Sequence, residues 1–285
     1  MIATQQQYHT ARELVREFLA TGLTVTPERC ASVGVEYDGV LSLYNQMSVR
    51  HLKRETKRGI DAVLLSSFEA ASDLCSVLGE LSAKYQVGGY KLARVYLELK
   101  FGKGSVSIAQ FLENPLIVED ERFREELLVL MSKDPFCSHP CDQLKECIGK
   151  EYEEYLIARL QEKRLCFETE AELRSRGKPK TPDILFLIPM AAYICSNDPS
   201  CDGALVVVNW IDSKAMFADE ETLAEHFEQL RGYTNRYGRG LVIYWHGYVE
   251  SLTSSDLFLS FNDMVVLSSD LPDEWHSPGA LDTLF

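Results

Sequence analysis

Two short motifs in the second half of the chain combine acidic and basic side chains at a spacing that suits chemistry on phosphate esters. A Thr-Pro-Asp motif ends at Asp183, and an Asp-x-Lys motif places Asp212 two residues before Lys214. Each motif adjoins an apolar run that is typical of a strand. Side chains two residues apart in a strand point to the same face, so Asp212 and Lys214 project together. If the two runs pair as a hairpin, Asp183 lies beside them.

Two carboxylates close to one lysine predict a site for a divalent cation. Mg²⁺ takes oxygen ligands and is commonly held by one or two carboxylates. The lysine ammonium is then left to hold a water or a phosphate oxygen. Metal-assisted hydrolysis of phosphodiesters uses this set of groups. The alternative interpretation of the same residues is an edge carboxylate next to a surface ion pair.

Further polar residues on predicted helices could complete such a site. Glu153 lies on a helix before the Thr-Pro-Asp motif, and Glu170 lies between the two. Gln229 and Tyr233 are four residues apart on a later helix, so they share one of its faces. Glu170 could instead begin a helix, because acidic residues suit a first turn. Gln229 and Tyr233 could equally serve packing alone.

Length and composition indicate a globular protein of two domains. The chain has 285 residues, of which 46% are hydrophobic, a proportion that is ordinary for folded domains. No apolar stretch approaches the roughly 20 residues of a membrane span. The first residues lack the basic and apolar blocks of a signal peptide. We therefore expect no membrane association and a location in the nucleus and cytoplasm.

Eight scattered cysteines are expected to be free thiols in a reducing compartment. Cys195 and Cys201 flank a turn-rich insertion, where a metal or a disulfide is not favoured. A second group offers four zinc-type ligands, although its spacing is not that of a finger or a ribbon. The group consists of Cys137, His139, Cys141 and Cys147, and zinc binding by these residues is kept as an alternative.

The formal charge of −14 argues against a nucleic-acid binder, but the distribution of basic residues argues for one. A basic run on one predicted helix recurs at spacings of three and four residues, which keeps it on one side. Two short amphipathic helices between residues 77 and 100, joined by a glycine-containing turn, suggest a helix-turn-helix. A solvated helix face is the alternative. The predicted nucleic-acid contacts are Arg50, Lys53, Arg54, Lys57, Lys91 and Arg94.

The order of the predicted elements divides the chain at residues 142 and 143. Apolar periodicity before that point predicts helices over 8–20, 40–58, 59–78, 77–85, 90–99 and 119–131. After it we predict a helix over 143–164, strands over 165–167, 184–189 and 205–211, a helix over 220–237, a strand over 240–245, and one or two strands within 257–267. The order α-β-β-β-α-β implies an α/β fold in which helices cover both sides of a sheet.

Taken in this order, the motifs resemble those of the PD-(D/E)xK nuclease superfamily. The spacing of Gly149 and Glu153 resembles that of Holliday-junction resolvases, and Gln-x-x-x-Tyr resembles the RecB-type nucleases. More closely, the segments 148–153, 170–174, 180–183, 210–215 and 240–245 resemble the codanin-interacting nuclease family. This resemblance is close from about residue 145 to 250. The chain departs from it at Asp212, where glutamate is commoner, and in an insertion around residues 195–202.

The resemblance implies a helical domain with a helix-turn-helix over 1–142, and over 143–285 a nuclease-like domain with a restriction-endonuclease-like αβββαβ core and a mixed sheet. It implies a codanin-type protein partner and cleavage of structured nucleic acid, with DNA favoured. In the superfamily, residues matching Asp183, Asp212 and Glu153 bind Mg²⁺ or Mn²⁺, and the residue matching Lys214 orients the attacking water. The supporting residues would be Glu170, Gln229 and Tyr233. The alternative is a catalytically weak or inactive scaffold that binds codanin.

Overall fold

The computed structural model describes residues 1–21, 25–70, 76–133, 139–194 and 204–277. The chain forms two compact units, one of His9–Glu146 and one of Met1–Tyr8 with Cys147–Phe285. The predicted cysteine pair Cys195 and Cys201 lies outside the described residues, and so do Cys137 and the side chains of its neighbours in the zinc alternative. Cys147, the remaining member of that group, is an exposed free thiol.

Helices make up the first unit in the part of the chain that the structure describes. Apart from the short α2, they bury leucines on one face, as the apolar periodicity predicts. The helices up to residue 133 are α1 Gln5–Thr21, α2 Pro27–Ala31, α3 Tyr37–Lys57, α4 Ile60–Ala70, α5 Val77–Tyr85, α6 Gly89–Phe101, α7 Val106–Glu113 and α8 Glu121–Lys133, with a 3-10 turn at Pro115–Ile117. The single helix predicted over 59–78 is wrong at its end, because Ser76 caps a new helix, α5, that begins at Val77.

The turn between α5 and α6 is tied to α3. Gln86 has a left-handed backbone with φ of 52°, and its carbonyl oxygen lies 3.1 Å from Nδ1 of His51. Ser48, which is fully buried, accepts a hydrogen bond from the backbone N–H of Gly88 at 2.9 Å. These contacts satisfy polar groups of a turn that packing removes from water. The helix pair thus has the predicted position, while its DNA-binding role stays a prediction.

The N-terminus of α5 is capped by a carboxylate from α8. Glu126 is only 9% exposed, and its two oxygens accept the backbone N–H groups of Val77 at 3.0 Å and Leu78 at 2.8 Å. The N–H groups of a first helical turn have no partner within the helix, and a negative charge also suits the positive end of the helix dipole. Glu126 therefore replaces water at a buried helix start.

Replacing Glu126 with Ala is expected to lower the free energy of unfolding by about 2 kcal/mol, because two buried N–H groups lose a charged acceptor. Urea denaturation followed by circular dichroism measures the change. Glu125→Ala is the matched control: Glu125 is exposed on the same helix, and both variants lose one negative charge. Equal stability of the two variants would show that the cap contributes nothing.

The second unit combines a sheet with helices on its two faces, so the predicted mixed α/β architecture is confirmed. Its helices are α9 His139–Glu162, whose first turns lie in the first unit, α10 Glu170–Ser175, α11 Glu220–Tyr237 and α12 Asp256–Leu259. Its strands are β1 Ile2–Ala3, β2 Phe167–Thr169, β3 Ile184–Ile194, β4 Ala204–Lys214, β5 Gly240–Tyr244, β6 Tyr248–Val249, β7 Val265–Ser268 and β8 Trp275–His276. None of the described helices is both long and apolar enough to cross a membrane.

The main sheet has the strand order β2-β3-β4-β5-β7, with β8 added beside β3. The pairs β2–β3, β3–β4 and β3–β8 are antiparallel, whereas β4–β5 and β5–β7 are parallel. The strands predicted within 257–267 are partly wrong, because α12 occupies the start of that segment. Ser255 caps this helix by accepting the N–H of Phe258, a local arrangement that favours a helical turn over a strand.

Alternation along β5 buries the sheet on both faces. Val242 and Tyr244 pack with Leu230 of α11 in one core cluster, whereas Leu241 and Ile243 pack with α9 in the other. Side chains of a strand alternate between the two faces. Trp210 of β4 belongs to the α11 side, so Asp212 and Lys214, at spacings of two, project toward α11 as well.

Position 240 requires glycine because the indole ring of Trp210 covers it. Trp210 and Gly240 are register partners in β4 and β5, and the indole N–H donates to the carbonyl of Gly238 at 2.8 Å. A Cβ at Gly240 would lie 1.9 Å from a ring atom of Trp210. Only glycine leaves room for the ring, which closes the core at the base of the site.

The first eight residues belong to the second unit. Ile2 of β1 pairs in parallel with Tyr248 of β6, and the hydroxyl of Tyr8 donates to Oδ2 of Asp219 at 2.9 Å. Asp219 in turn caps α11 by accepting the N–H of Thr222 at 2.8 Å. The N-terminal peptide therefore supports the start of the helix that faces Asp212 and Lys214.

Candidate metal centre

The hairpin of β3 and β4 brings the two motif carboxylates together. Ile184 and Ile211 are register partners, so the same antiparallel register extended by one residue sets Asp183 opposite Asp212. Opposed residues of an antiparallel pair project from the same face. The backbone N–H of Ser213 donates to Oδ2 of Asp183 at 2.6 Å, which fixes the orientation of this carboxylate.

Lys214 compensates the charge of Asp212. Its Nζ lies 2.7 Å from Oδ2 of Asp212, and the exposed fractions of the two side chains are 16% and 1%. This oxygen is buried and meets the ammonium as a close ion pair. A carboxylate oxygen has two lone pairs, so it can also face another ligand. Nζ also lies 3.4 Å from Oε1 of Gln229, to which it donates.

Burial and mutual repulsion make the acidic groups of the site hard to ionise. Burial, followed by the charge of Asp212, raises the pKa of Asp183 to about 8. Burial also raises the pKa of Asp212, although Lys214 opposes this effect. For Lys214 itself, burial lowers the pKa, but the carboxylates outweigh it, so the net pKa is raised and the ammonium is retained. The site thus contains two aspartate carboxyl groups and only one lysine to neutralise them.

The predicted supporting residues of α11 connect Lys214 to the Thr-Pro-Asp segment. Nε2 of Gln229 donates to the hydroxyl of Tyr233 at 2.8 Å, and this hydroxyl donates to the carbonyl of Thr181 at 3.0 Å. Lys214 joins the other end of the chain through Gln229. The four-residue spacing therefore serves a continuous hydrogen-bond chain that holds both motifs against α11.

Glu170 begins α10 and also fastens the Thr-Pro-Asp segment. Its backbone N–H donates to the carbonyl of Asp183 at 3.0 Å, and its Oε1 accepts the hydroxyl of Thr181 at 3.2 Å. Arg174 donates to the same oxygen at 2.6 Å. A capping box of Thr169 and Glu172 starts the helix. Glu170 thus acts on the position of Asp183 through the backbone as well as through its side chain.

Glu153 contributes to the site electrostatically. The residue is exposed, but partial loss of water raises its pKa, and Glu170 adds to this shift while Lys214 opposes it. No three His, Cys, Asp or Glu side chains of the described residues converge as a ready-made metal cage. The structure therefore brings Asp183, Asp212 and Lys214 into one centre and leaves Glu153 at its margin.

The donor set of this centre fits Mg²⁺ or Mn²⁺. Two carboxylates are enough for a hard divalent cation, because Mg²⁺ keeps several waters and takes its other ligands from substrate phosphates. A divalent cation would face the buried Oδ2 of Asp212 and would lower the raised pKa of Asp183, so both features fit such an ion. Soft metals would require thiolate or imidazole ligands, and neither is among the residues of the centre.

A group of aromatic side chains lies beside the centre, and the sequence motifs did not predict it as part of the centre. The indole N–H of Trp245 donates to Oγ of Ser213 at 2.7 Å, and the ring of Tyr152 stacks on this indole with centroids 5.1 Å apart. Tyr155 meets the same indole edge-on. The position of Tyr152 directly before Glu153 was the only signal of this arrangement in the sequence.

The basic residues predicted to contact nucleic acid have mixed surroundings in the helical unit. Arg54 and Lys57 are exposed near the end of α3. Arg94 forms an ion pair with Glu98 one helical turn away, and Nζ of Lys91 donates to Oδ1 of Asn45 at 3.1 Å. Arg50 and Lys53 lie on α3 before Arg54. Nucleic-acid binding by this set stays a prediction.

Comparison with known families gives one matching family model. Residues 119–268 match the family described as "Protein of unknown function TPD sequence-motif". This segment contains all the residues of the candidate centre, including the Thr-Pro-Asp motif for which the family is described. No solved structure matches the chain with significance.

Comparison with curated proteins finds vertebrate relatives that share one name, "CDAN1-interacting nuclease 1". The protein of Danio rerio is 32% identical over 227 residues, which cover 75% of this chain and 72% of that protein. The protein of Homo sapiens is 28% identical over 227 residues, covering 75% and 77%. The protein of Xenopus laevis is 35% identical over 146 residues, covering 51% of this chain but only 45% of that protein.

Proposed function

This chain belongs to the TPD sequence-motif family of codanin-interacting nucleases, and from that premise we propose that it hydrolyses phosphodiester bonds of nucleic acid with Mg²⁺ or Mn²⁺. The observation that carries the proposal is the half-buried Asp183 opposite the fully buried Asp212, with Nζ of Lys214 only 2.7 Å from the second carboxylate. Burying two carboxylates together is costly unless a cation compensates them. One lysine compensates only one of the two charges.

Each residue of the centre has a distinct role in this proposal. Asp183 and Asp212 hold the metal ion, which when bound would lower the pKa of a water and draw charge from the phosphate. Lys214 places its ammonium where it can orient the attacking water and offset negative charge that grows on the phosphate. Glu153, at the margin of the centre, would accept a hydrogen bond from the attacking water.

Gln229 and Tyr233 are positioning residues. Gln229 accepts a hydrogen bond from Lys214, and Tyr233 links Gln229 to the carbonyl of Thr181. Such links restrict the ammonium to one orientation, and orientation is a large part of catalysis when the chemistry consists of bringing a water in line with a phosphate. Glu170 holds the backbone of Asp183 from the opposite side.

The substrate, partner and location form the finer part of the proposal. We propose structured DNA as the substrate, a codanin-type protein as the partner, and the nucleus and cytoplasm as the location. The relatives' shared name supports the nuclease activity and the partner. The preference for structured DNA and the location rest on the resemblance of the motifs alone.

The test is metal binding followed by cleavage. Titration calorimetry should show Mn²⁺ or Mg²⁺ binding by the unaltered chain and loss of that heat in Asp183→Asn, because the substitution removes a charged oxygen ligand. Branched DNA, linear duplex and single-stranded RNA of matched length should then be compared, with cleavage requiring the metal and branched DNA cut fastest. Asp273→Asn, which changes an exposed carboxylate, is the matched control.

Two outcomes would contradict the proposal. Equal heats for Asp183→Asn and Asp273→Asn would mean that the metal binds elsewhere. Cleavage that persists unchanged in purified Asp183→Asn would point to a contaminating nuclease.

A second candidate function is a scaffold that binds a codanin-type partner without cutting nucleic acid. It is favoured by the net charge of −14 and by the lack of a three-ligand cage among the described residues. Asp183→Asn separates the two functions, because a scaffold keeps its cellular role in this variant whereas a nuclease loses it. Pull-down of codanin by both forms of the chain provides the companion measurement.

A further inference from the structure

Three basic residues next to the candidate centre form a surface that the proposed chemistry does not use. Two come from the loop that follows α10 and one comes from the second half of α11, and all three are exposed. We call this surface the basic rim. Its members are Lys178, Lys180 and Arg236.

The loop and the helix are joined into one surface by direct contacts. The aliphatic chain of Lys180 lies across Gly232, where a Cβ would be 3.0 Å from Cδ and 3.1 Å from Nζ of the lysine. The guanidinium of Arg236 donates to the carbonyl of Pro179. Lys180 has a left-handed backbone with φ of 54°, which turns the chain sharply into the Thr-Pro-Asp motif. The basic rim is therefore held in place and does not depend on a loose loop.

The basic rim leads directly to the acidic centre. Lys180 is followed by Thr181, whose carbonyl accepts the hydroxyl of Tyr233 at 3.0 Å, and two residues later by Asp183. Tyr233 follows Gly232 on α11, the residue on which Lys180 rests. A polyanion bound along the rim would thus reach the carboxylates of Asp183 and Asp212 within a few residues of the same chain segment.

The charges of the basic rim are not neutralised by the protein. None of its three cations forms an ion pair within the described residues. Two nearby arginines behave differently: Arg174, in the last turn of α10, pairs with Glu170, and Arg176, which follows this helix, pairs with Glu168. In a chain whose net charge is −14, three unpaired cations on one surface create a local positive potential that attracts anions.

We propose that the basic rim binds the sugar-phosphate backbone of the nucleic acid beside the bond that is cut. This inference rests on the proposed function, since it assigns the substrate contact of the same centre. The repeated phosphates of a nucleic acid match a row of lysines and arginines, and such contacts position the strand without reading its bases. The surrounding acidic surface repels the same strand, so the rim also defines where the strand can lie.

The test is binding of a fluorescein-labelled DNA hairpin, followed by anisotropy at several salt concentrations and without added divalent metal, so that cleavage does not interfere. The double variant Lys178→Gln with Lys180→Gln should bind about tenfold more weakly at roughly 0.1 M salt. The slope of log K against log salt should fall by about two, because two phosphate contacts no longer release counterions.

The matched control is the double variant Arg164→Gln with Arg231→Gln. Both residues are exposed in the second unit, and Arg231 lies two residues from both Gln229 and Tyr233, which puts it on the other side of α11. Both double variants take the formal charge from −14 to −16, since each removes two positive charges. The control should change the affinity less than about twofold. Equal weakening in both variants would overturn the proposal, because net charge alone would then govern binding, and an unchanged slope in the rim variant would overturn it too.

The experiment separates this inference from the proposed function. If DNA binding depends on the rim but no metal-dependent cleavage is found, the rim proposal is supported and the nuclease proposal fails. If the rim variant cleaves DNA and binds it with normal affinity, the nuclease proposal is supported and the rim proposal fails. If an oligoglutamate peptide binds the rim while the DNA hairpin does not, the rim is a docking surface for an acidic protein segment and the proposal fails.

Discussion

Replacing Lys214 with Met is expected to lower the rate of metal-dependent cleavage by about a hundred- to a thousandfold, the usual effect of losing a charged group that stabilises the transition state. The same change is expected to lower the free energy of unfolding by about 3 kcal/mol or more, measured without metal. The reason is that Asp212, 1% exposed, loses the ammonium 2.7 Å away. Cleavage assays and chemical denaturation measure the two effects separately.

The double variant Asp212→Asn with Lys214→Met serves as the control for this prediction. Removing both charges leaves no uncompensated buried ion, so most of the lost stability should return although cleavage stays absent. The interaction between the two substitutions is then the energy of the ion pair in its buried setting. Additive losses of stability in the double variant would show that the two side chains do not interact.

The stability of the metal-free protein is expected to fall as the pH rises. Asp183 has its pKa raised to about 8 in the folded protein, whereas an unfolded aspartate ionises near pH 4. Between these values the folded state retains a proton that the unfolded state has released, so folding is linked to proton uptake. The free energy of unfolding should therefore decrease by about 1 kcal/mol per pH unit from roughly pH 5 to 8 and level off above that.

Divalent metal should reverse this trend. A cation competes with the proton for the carboxylate of Asp183, so metal binding releases protons and becomes tighter as the pH rises. Denaturation at about pH 5.5, 7 and 8.5, with EDTA and with Mg²⁺, measures both effects. Asp183→Asn is the control and should remove most of the pH dependence. A metal-free protein that gains stability between pH 5.5 and 8.5 would contradict the prediction.

Much of the second unit could be predicted because its signals are local. Strand alternation of the kind seen at Leu241 and Val242 is encoded by neighbouring residues, and so is the shared direction of Asp212 and Lys214 two residues apart. The four-residue spacing of Gln229 and Tyr233 likewise requires only a helix. The error within 257–267 arose because apolar residues of a short helix and of a strand have no distinct period over so few positions.

By itself, the sequence determined which residue types face which side of each helix and strand, and therefore which carboxylates and which lysine can meet at one end of a hairpin. Only the tertiary structure decided how they meet. Three contacts join residues at least 15 positions apart: the N–H of Ser213 donates to Asp183, Lys214 donates to Gln229, and Lys180 lies against Gly232. Such contacts depend on strand register and on the packing of α11, which the close fit of Trp210 over Gly240 helps to set.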